Sequence, residues 1–166
     1  MLPPPTYLED ALLFEEKGWK LYTTLVAETK MNLSKKLFTS LAEQEKYHMA
    51  YIKSYTHKLT MKKVKFNSLE SEIKKVFLKL QGAMRNKDLS QITGLEKALQ
   101  MEKEGYALYK KAYTSATTKA DKDFFTYLMG MEDEHYGALA NLYYYYTNNP
   151  QWTSEDESKV WNWMNF

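Results

Sequence analysis

The chain has 166 residues, enough for about one domain with a substantial apolar core. Its 23 lysines and arginines nearly balance its 21 aspartates and glutamates, so the composition does not favour nucleic acid or an anionic membrane surface as a partner. The absence of cysteine excludes disulfides, thiolate zinc sites, iron–sulfur clusters and thiol nucleophiles.

The sequence shows no signal for a membrane or for export. No stretch approaches the ~20 consecutive apolar residues that a membrane-spanning helix needs. The first residues, Met1 to Pro5, have neither the basic part nor the apolar part of a secretion signal. We therefore expect a cytoplasmic protein. Because the chain contains no cysteine, its only strong metal ligands would be carboxylate oxygens and imidazole nitrogens.

Apolar residues recur at helical spacing through most of the chain, and glycine, with 6 residues, is scarce. This spacing predicts four helices, at about residues 6–29, 34–58, 89–115 and 121–147. Glutamate or histidine lies on the apolar stripe of each helix and not opposite it. We therefore predict an all-α protein with a polar site inside its core.

The two halves of the chain repeat each other. Four residues of the first half recur 87 positions later: Glu15, Tyr22, Glu45 and His48 are matched by Glu102, Tyr109, Glu132 and His135. Around them, 15 of 43 positions are identical when residues 6–48 are aligned without gaps to residues 93–135. Helix packing alone can produce such a repeat, but it would not select glutamate and histidine for buried positions.

The repeat also locates two turns. Antiparallel helices that hold the two glutamates of one half at the same height must turn midway, near residue 30 and near residue 117. Ser34 follows the first turn and Asp121 follows the second, and the two residues are 87 positions apart, like the other pairs of the repeat. Serine and aspartate are both good helix N-caps. Each half is therefore predicted to be a helical hairpin.

Residues 59–88 join the hairpins and are too long for a plain up-and-down bundle, where about 2–8 residues suffice. This segment contains an amphipathic piece, with one face formed by Ile73, Val76, Phe77, Leu80 and Met84. We predict a long crossover containing a short helix, which would place the hairpins about a pseudo-two-fold axis. The lysines that flank it would suit an anion-binding patch, but a solvated helix face explains them more simply.

The predicted domain spans residues 1–166 as a single unit, of which residues 148–166 form a C-terminal tail. The tail carries four large aromatic residues, Trp152, Trp161, Trp163 and Phe166. We expect it to dock as a short helix or to cover the contact of a homodimer. The tyrosine run at residues 143–146 is predicted to serve helix-end packing or an interface, not a site.

The glutamates and histidines together predict a metal centre. Residues three apart lie on one face of a helix, so Glu45 with His48, and Glu132 with His135, can each bind one metal ion. Glu15 and Glu102 would complete the two coordination shells or bridge the ions. Two lone glutamates and two Glu-x-x-His pairs are the ligands of a carboxylate-bridged two-metal centre in a four-helix bundle.

The charges and donor atoms also fit two ions. Four carboxylates balance two divalent cations, whereas without metal they would repel one another and some would have to protonate. Oxygen-rich ligation with two imidazoles suits iron or manganese, and zinc could occupy the same site.

Some residues allow more than one interpretation. A single Glu-x-x-His is often a surface pair, and only its doubling with two partner glutamates favours metal binding. Glu16 competes with Glu15, but its counterpart in the repeat is Lys103, which favours Glu15. His57 has no histidine counterpart and falls near a helix end, so we expect it to be exposed.

Tyr22 and Tyr109 lie two turns beyond the lone glutamates on the same helix faces. Each could hydrogen-bond a ligand carboxylate of a neighbouring helix and fix its orientation. A redox relay is a second role for them. The third interpretation is a core tyrosine whose hydroxyl is satisfied elsewhere.

The doubled pattern resembles the ferritin-like superfamily, and within it the rubrerythrin branch, over about residues 6–147. The resemblance implies a ferritin-like four-helix bundle and a non-haem di-iron centre that reacts with hydrogen peroxide or dioxygen. It assigns the two tyrosines to positions near the site and the ligand role to six residues: Glu15, Glu45, His48, Glu102, Glu132 and His135.

Two departures from the family pattern limit what the resemblance implies. Rubrerythrins usually carry a further carboxylate one turn beyond the third-helix glutamate, where this chain has Gly105. They also commonly carry a cysteine-ligated rubredoxin module, which a chain without cysteine cannot hold. We therefore expect no redox-linked ligand exchange at that position, and we expect electrons to come from an external donor protein.

Three functions are consistent with this sequence. The favoured one is an oxidoreductase of oxidative stress, which reduces hydrogen peroxide or dioxygen with a di-iron centre. The alternative is an iron-handling protein of the ferroxidase type, which binds and oxidises iron without reductive turnover. The third is a structural bundle that a metal merely stabilises.

Overall fold

The computed structural model describes residues 5–59 and 89–148, together with residues 63, 66 and 69. Within these ranges it contains four long helices: α1 (Pro5–Glu28), α2 (Asn32–Thr56), α3 (Leu89–Ser115) and α4 (Lys119–Asn148). Over the described ranges there is no strand. The predicted all-α four-helix fold is confirmed, and every predicted helix end lies within two residues of the observed one.

The helices form two hairpins. α1 packs along α2, and α3 packs along α4, with three-residue connections at residues 29–31 and 116–118. The hairpins meet through contacts of α1 with α3 and of α2 with α4. The predicted turn centres, near residues 30 and 117, are confirmed.

The two turns lie at opposite ends of the bundle. At one end, Thr29 after α1 donates a hydrogen bond to Gln91 at the start of α3. At the other end, Tyr7 at the start of α1 lies 3.2 Å from the Ser115 hydroxyl at the end of α3. The hairpins are therefore antiparallel to each other, as the predicted pseudo-two-fold relation requires.

Both predicted N-caps are wrong, because α2 begins before Ser34 and α4 begins before Asp121. α2 begins at Asn32, so Ser34 lies inside its first turn, where its hydroxyl is 2.9 Å from the Tyr146 hydroxyl. α4 is capped by Thr118, whose Oγ1 accepts a hydrogen bond from the backbone N–H of Asp121 at 3.1 Å. The carboxylate of Asp121 accepts from the Thr118 hydroxyl at 2.6 Å, so the pair forms a variant of the capping box.

Two apolar clusters divide the core along the bundle axis. The Leu37 cluster lies at one end and includes Leu37, Leu41, Leu95, Leu139 and Leu142. The Phe125 cluster lies at the other end and includes Leu8, Ile52, Phe124, Phe125 and Leu128. On every helix, the predicted ligand positions lie between these two clusters. The apolar side chains of the clusters therefore separate the middle of the bundle from solvent at both ends.

Some predictions concern other parts of the chain. The apolar face of the predicted crossover helix, at residues 73–84, and residues 149–166 of the predicted tail lie outside the described residues, whereas residue 148 of that tail ends α4. The homodimer stays a prediction. His57 is exposed at the end of α2, as predicted. None of the helices in the described ranges is long and apolar enough to cross a membrane.

Candidate metal centre

The six predicted ligands meet at the middle of the bundle. Each side chain is 3% exposed or less: Glu15, Glu45, His48, Glu102, Glu132 and His135. Every helix contributes, because α1 and α3 each supply one glutamate and α2 and α4 each supply a Glu-x-x-His pair. Buried charged groups are rare unless they are paired or bind a metal, so this arrangement needs a chemical explanation.

The ligand atoms fall into two overlapping groups. Within each group, one donor atom of every residue lies within 4.8 Å of the others. The first group contains Glu15, Glu45, His48 and Glu132. The second contains Glu45, Glu102 and His135. Each group has one imidazole and at least two carboxylates, which is the donor set of one iron or manganese position.

Glu45 belongs to both groups and lies between the two histidines. Its Oε2 is 3.4 Å from Nδ1 of His48, and its Oε1 is 3.3 Å from Nδ1 of His135. The two imidazole rings stack, with centroids 5.2 Å apart and planes inclined by 14°. The central position thus belongs to a glutamate of a Glu-x-x-His pair. Glu15 and Glu102 each belong to one group only, which favours completion of the coordination shells among the two roles predicted for them.

The outer ligands complete each group. Oε2 of Glu15 lies 3.0 Å from Nδ1 of His48, and Oε1 of Glu132 lies 3.7 Å from the same nitrogen. On the other side, Oε2 of Glu102 lies 3.4 Å from Nδ1 of His135. Both imidazoles therefore turn Nδ1 toward the carboxylates.

Several potential metal-binding atoms at the centre have no hydrogen-bond partner within the described part of the chain. They are Nδ1 of His135, Oε2 of Glu102 and both carboxylate oxygens of Glu132, all of them buried. A buried polar atom without a partner costs about 1–3 kcal/mol. Cations bound at these atoms would remove that cost, so the residues present fit two divalent metal ions.

Two charged groups at the centre stabilise each other. Burial alone would raise the pKa of Glu15, but the positive charge of His48, together with hydrogen bonds to Glu45, His48 and Tyr109, outweighs burial and lowers the pKa to about 2. Burial alone would lower the pKa of His48, but the charge of Glu15 and its hydrogen bond raise the pKa to about 9. Without metal, these two residues form a buried ion pair.

The other glutamates show the opposite behaviour. Burial, together with the charge of Glu15, raises the pKa of Glu45 well above its ordinary value. Burial, together with the charge of Glu102, does the same for Glu132. In the metal-free centre, the glutamate of each Glu-x-x-His pair is therefore the carboxyl that tends to stay protonated. Metal binding would displace these protons.

The two tyrosines link α1 with α3. The hydroxyl of Tyr22 donates a hydrogen bond to Glu102, and the hydroxyl of Tyr109 donates one to Glu15. Burial and the neighbouring carboxylates raise both tyrosine pKa values well above 10, so both hydroxyls keep the proton that they donate. Of the three interpretations of these tyrosines, this geometry supports the one in which they orient a ligand carboxylate.

Two glycines, Gly18 and Gly105, make room for the carboxylates and are themselves related by the repeat. A Cβ placed on Gly105 would lie 2.6 Å from Oε2 of Glu132 and 2.6 Å from the ring of Phe14. A Cβ on Gly18 would lie 3.2 Å from the carboxyl carbon of Glu45. Gly105 thus has no room for a further carboxylate without displacement of Glu132 and Phe14.

Gln44 was not among the predicted site residues. It is 3% exposed, and its Oε1 lies 3.0 Å from Nε2 of His135 on the opposite hairpin. A signal was present in the sequence, since Leu37, Leu41, Gln44 and His48 follow helical spacing along the apolar stripe of α2. An amide at such a position indicates a buried hydrogen-bond partner.

Comparison with known proteins gives a family. The rubrerythrin family model matches residues 6–143, which is most of the chain. Searches of curated proteins and of solved structures found no significant match. The family match covers all six predicted ligands and both tyrosines, and the chain therefore belongs to the rubrerythrin family.

Proposed function

We propose that this protein is a di-iron oxidoreductase that reduces hydrogen peroxide or dioxygen with electrons from an external donor protein. The observation that carries this proposal is the buried, doubled set of glutamates and histidines between two apolar clusters. Membership of the rubrerythrin family supports iron as the metal.

The chain's residues have distinct tasks in this proposal. Glu15, His48 and Glu132 would hold one iron ion, Glu102 and His135 the other, and Glu45 would contact both. When bound, the two iron ions supply the two electrons that convert hydrogen peroxide and two protons into two water molecules.

The protein holds the ligands in place and keeps bulk water away from them. Tyr22 and Tyr109 each fix a carboxylate of the neighbouring hairpin, so α1 and α3 cannot slide without breaking both hydrogen bonds. The Leu37 cluster and the Phe125 cluster surround the centre with apolar side chains. Charges in such a buried site interact more strongly than they would in water.

The proposed electron donor lies outside these 166 residues. Because they contain no cysteine, they cannot hold a thiolate-ligated iron centre of their own. Each cycle would consume two electrons, so sustained turnover requires a separate reductant.

Rapid mixing of the anaerobic, ferrous iron-loaded protein with peroxide or with dioxygen tests this proposal. We expect peroxide at equal concentration to oxidise the iron faster than dioxygen, and added reductant to restore the reaction for many cycles. Glu43→Ala, an exposed change on α2, should behave as the unchanged protein.

The same experiment identifies the iron-handling alternative. A single round of oxidation that no reductant can restart would contradict the oxidoreductase and support iron binding and oxidation without turnover. Equal rates with peroxide and dioxygen would remove the support for peroxide as the preferred oxidant.

A further inference from the structure

The two histidines of the centre differ on the side that faces away from the carboxylates. Nε2 of His135 lies 3.0 Å from Oε1 of Gln44. Nε2 of His48 is buried and has no hydrogen-bond partner among the residues that the structure describes. Both histidines are 0% exposed, so bulk solvent does not make up this difference.

Comparison of the two halves of the repeat shows that this difference between the histidines arises at one sequence position. Every predicted ligand and both tyrosines have a counterpart of the same residue type 87 positions away. Gln44 does not, because its counterpart is Met131. Gln44 and Met131 are both buried, at 3% and 7% exposure, but a thioether is only a weak hydrogen-bond acceptor.

The tautomer of His135 follows from its surroundings. Its Nδ1 faces Glu45 and Glu102, so this nitrogen is the one that would offer a lone pair to a metal ion. The ring hydrogen must then lie on Nε2, where the side-chain carbonyl of Gln44 can accept it. This hydrogen bond fixes both the tautomer and the orientation of the ring, whereas no described residue provides an equivalent hydrogen bond to Nε2 of His48.

We propose that Gln44 is a positioning residue for His135 and strengthens metal binding at the His135 position only. The two metal positions are then unequal in spite of the repeat. This inference rests on the metal centre of the proposed function but not on its reaction with peroxide. Loss of a hydrogen bond to a metal-bound histidine typically lowers metal affinity by roughly 10–100-fold.

Substitution of Gln44 can separate positioning from simple core filling. Gln44→Met removes the acceptor, and the repeat already places a methionine at the equivalent position of α4. Gln44→Glu keeps an acceptor oxygen at nearly the same place. A role limited to filling space would make the two variants alike, whereas a positioning role predicts that only Gln44→Met loses affinity.

The experiment is a cobalt(II) titration of the full chain in two single-position backgrounds. With His48→Ala, which leaves the His135 position, Gln44→Met should weaken cobalt binding by roughly 10–100-fold, and Gln44→Glu should not. With His135→Ala, which leaves the His48 position, neither change should alter the affinity. Equal losses in both backgrounds, or no loss with His48→Ala, would overturn the proposal.

A gain-of-function variant covers the case in which the single-position backgrounds fail to fold. Met131→Gln, in a chain that is otherwise unchanged, should strengthen one of two cobalt binding steps, and Gln44→Met should weaken the other. Two steps that shift together would count against the proposal. If the unchanged chain binds two cobalt ions and these variants do not alter them, only this inference fails; if it binds none, the metal centre fails with it.

Discussion

Replacing Glu45 with alanine should abolish metal binding at both positions. The iron content should fall from about two ions per chain to fewer than one. The reason is geometric, because Oε1 of Glu45 faces His135 and Oε2 faces His48. The loss in affinity should exceed the roughly 10–100-fold that follows removal of an outer hydrogen-bond partner, since a ligand itself is removed. Anaerobic ferrous iron titration followed by metal analysis measures it.

Two other variants give this result its meaning. Glu102→Ala should cost only one ion, because Glu102 belongs to the second ligand group alone. Glu43→Ala, exposed and two residues from Glu45, should keep both ions. Retention of both ions by Glu45→Ala would refute the shared position of Glu45.

Replacing Glu132 with glutamine should stabilise the metal-free protein while it weakens metal binding. Burial and the charge of Glu102 raise the pKa of Glu132 in the folded state well above its ordinary value of 4.5. Below pH 4.5 the carboxyl is protonated in the folded and the unfolded chain, so glutamine makes little difference. Above it, the unfolded chain loses the proton while the folded chain keeps it, and the wild-type protein loses stability as the pH rises.

The size of this effect follows from the same linkage. Each pH unit above 4.5 should cost the wild-type protein about 1.4 kcal/mol until the pH reaches the folded-state pKa. The neutral glutamine avoids this cost. Urea unfolding with a chelator present, at several pH values, should show Glu132→Gln gaining over the wild type as the pH rises.

A neighbouring residue supplies the control for this series. Glu134→Gln removes a carboxyl two residues away that is exposed to solvent, so its stability should stay close to that of the wild type at every pH. A stability gap for Glu132→Gln that stays constant or narrows with rising pH would contradict the assigned charge state.

The fold and the ligand set could be predicted because periodicity and the repeat act over the whole chain. Helical spacing marked the buried face of each helix, and the offset of 87 residues placed both hairpin turns. An error of one or two residues at a helix end does not change which side chains face the core. The same offset favoured Glu15 over Glu16 as the predicted ligand.

Details that depend on contacts between the hairpins could not be predicted. Gln44 and His135 are 91 residues apart, and their hydrogen bond depends on the orientation of a ring that the sequence does not specify. Ser34 was predicted to cap α2 because serine is a good N-cap, but its hydroxyl contacts Tyr146 of the other hairpin instead. In both cases a tertiary contact decided what local preference could not.

The position of Glu45 between the histidines was missed for a related reason. Spacing along α2 shows that Glu45 and His48 share a face, but not how far Glu45 extends toward α4. Gly18 leaves space beside this carboxylate, since a Cβ there would lie 3.2 Å from its carboxyl carbon. The sequence contained this glycine and its repeat counterpart Gly105, but their effect appears only when the hairpins are packed together.

Anomalous X-ray diffraction from crystals of the protein loaded anaerobically with ferrous iron tests the central claim most directly. We expect two iron peaks at mid-bundle, one on each side of Glu45, with Nδ1 of His48 beside one and Nδ1 of His135 beside the other. No peak at mid-bundle, or iron bound only at exposed residues such as His57, would contradict the di-iron centre.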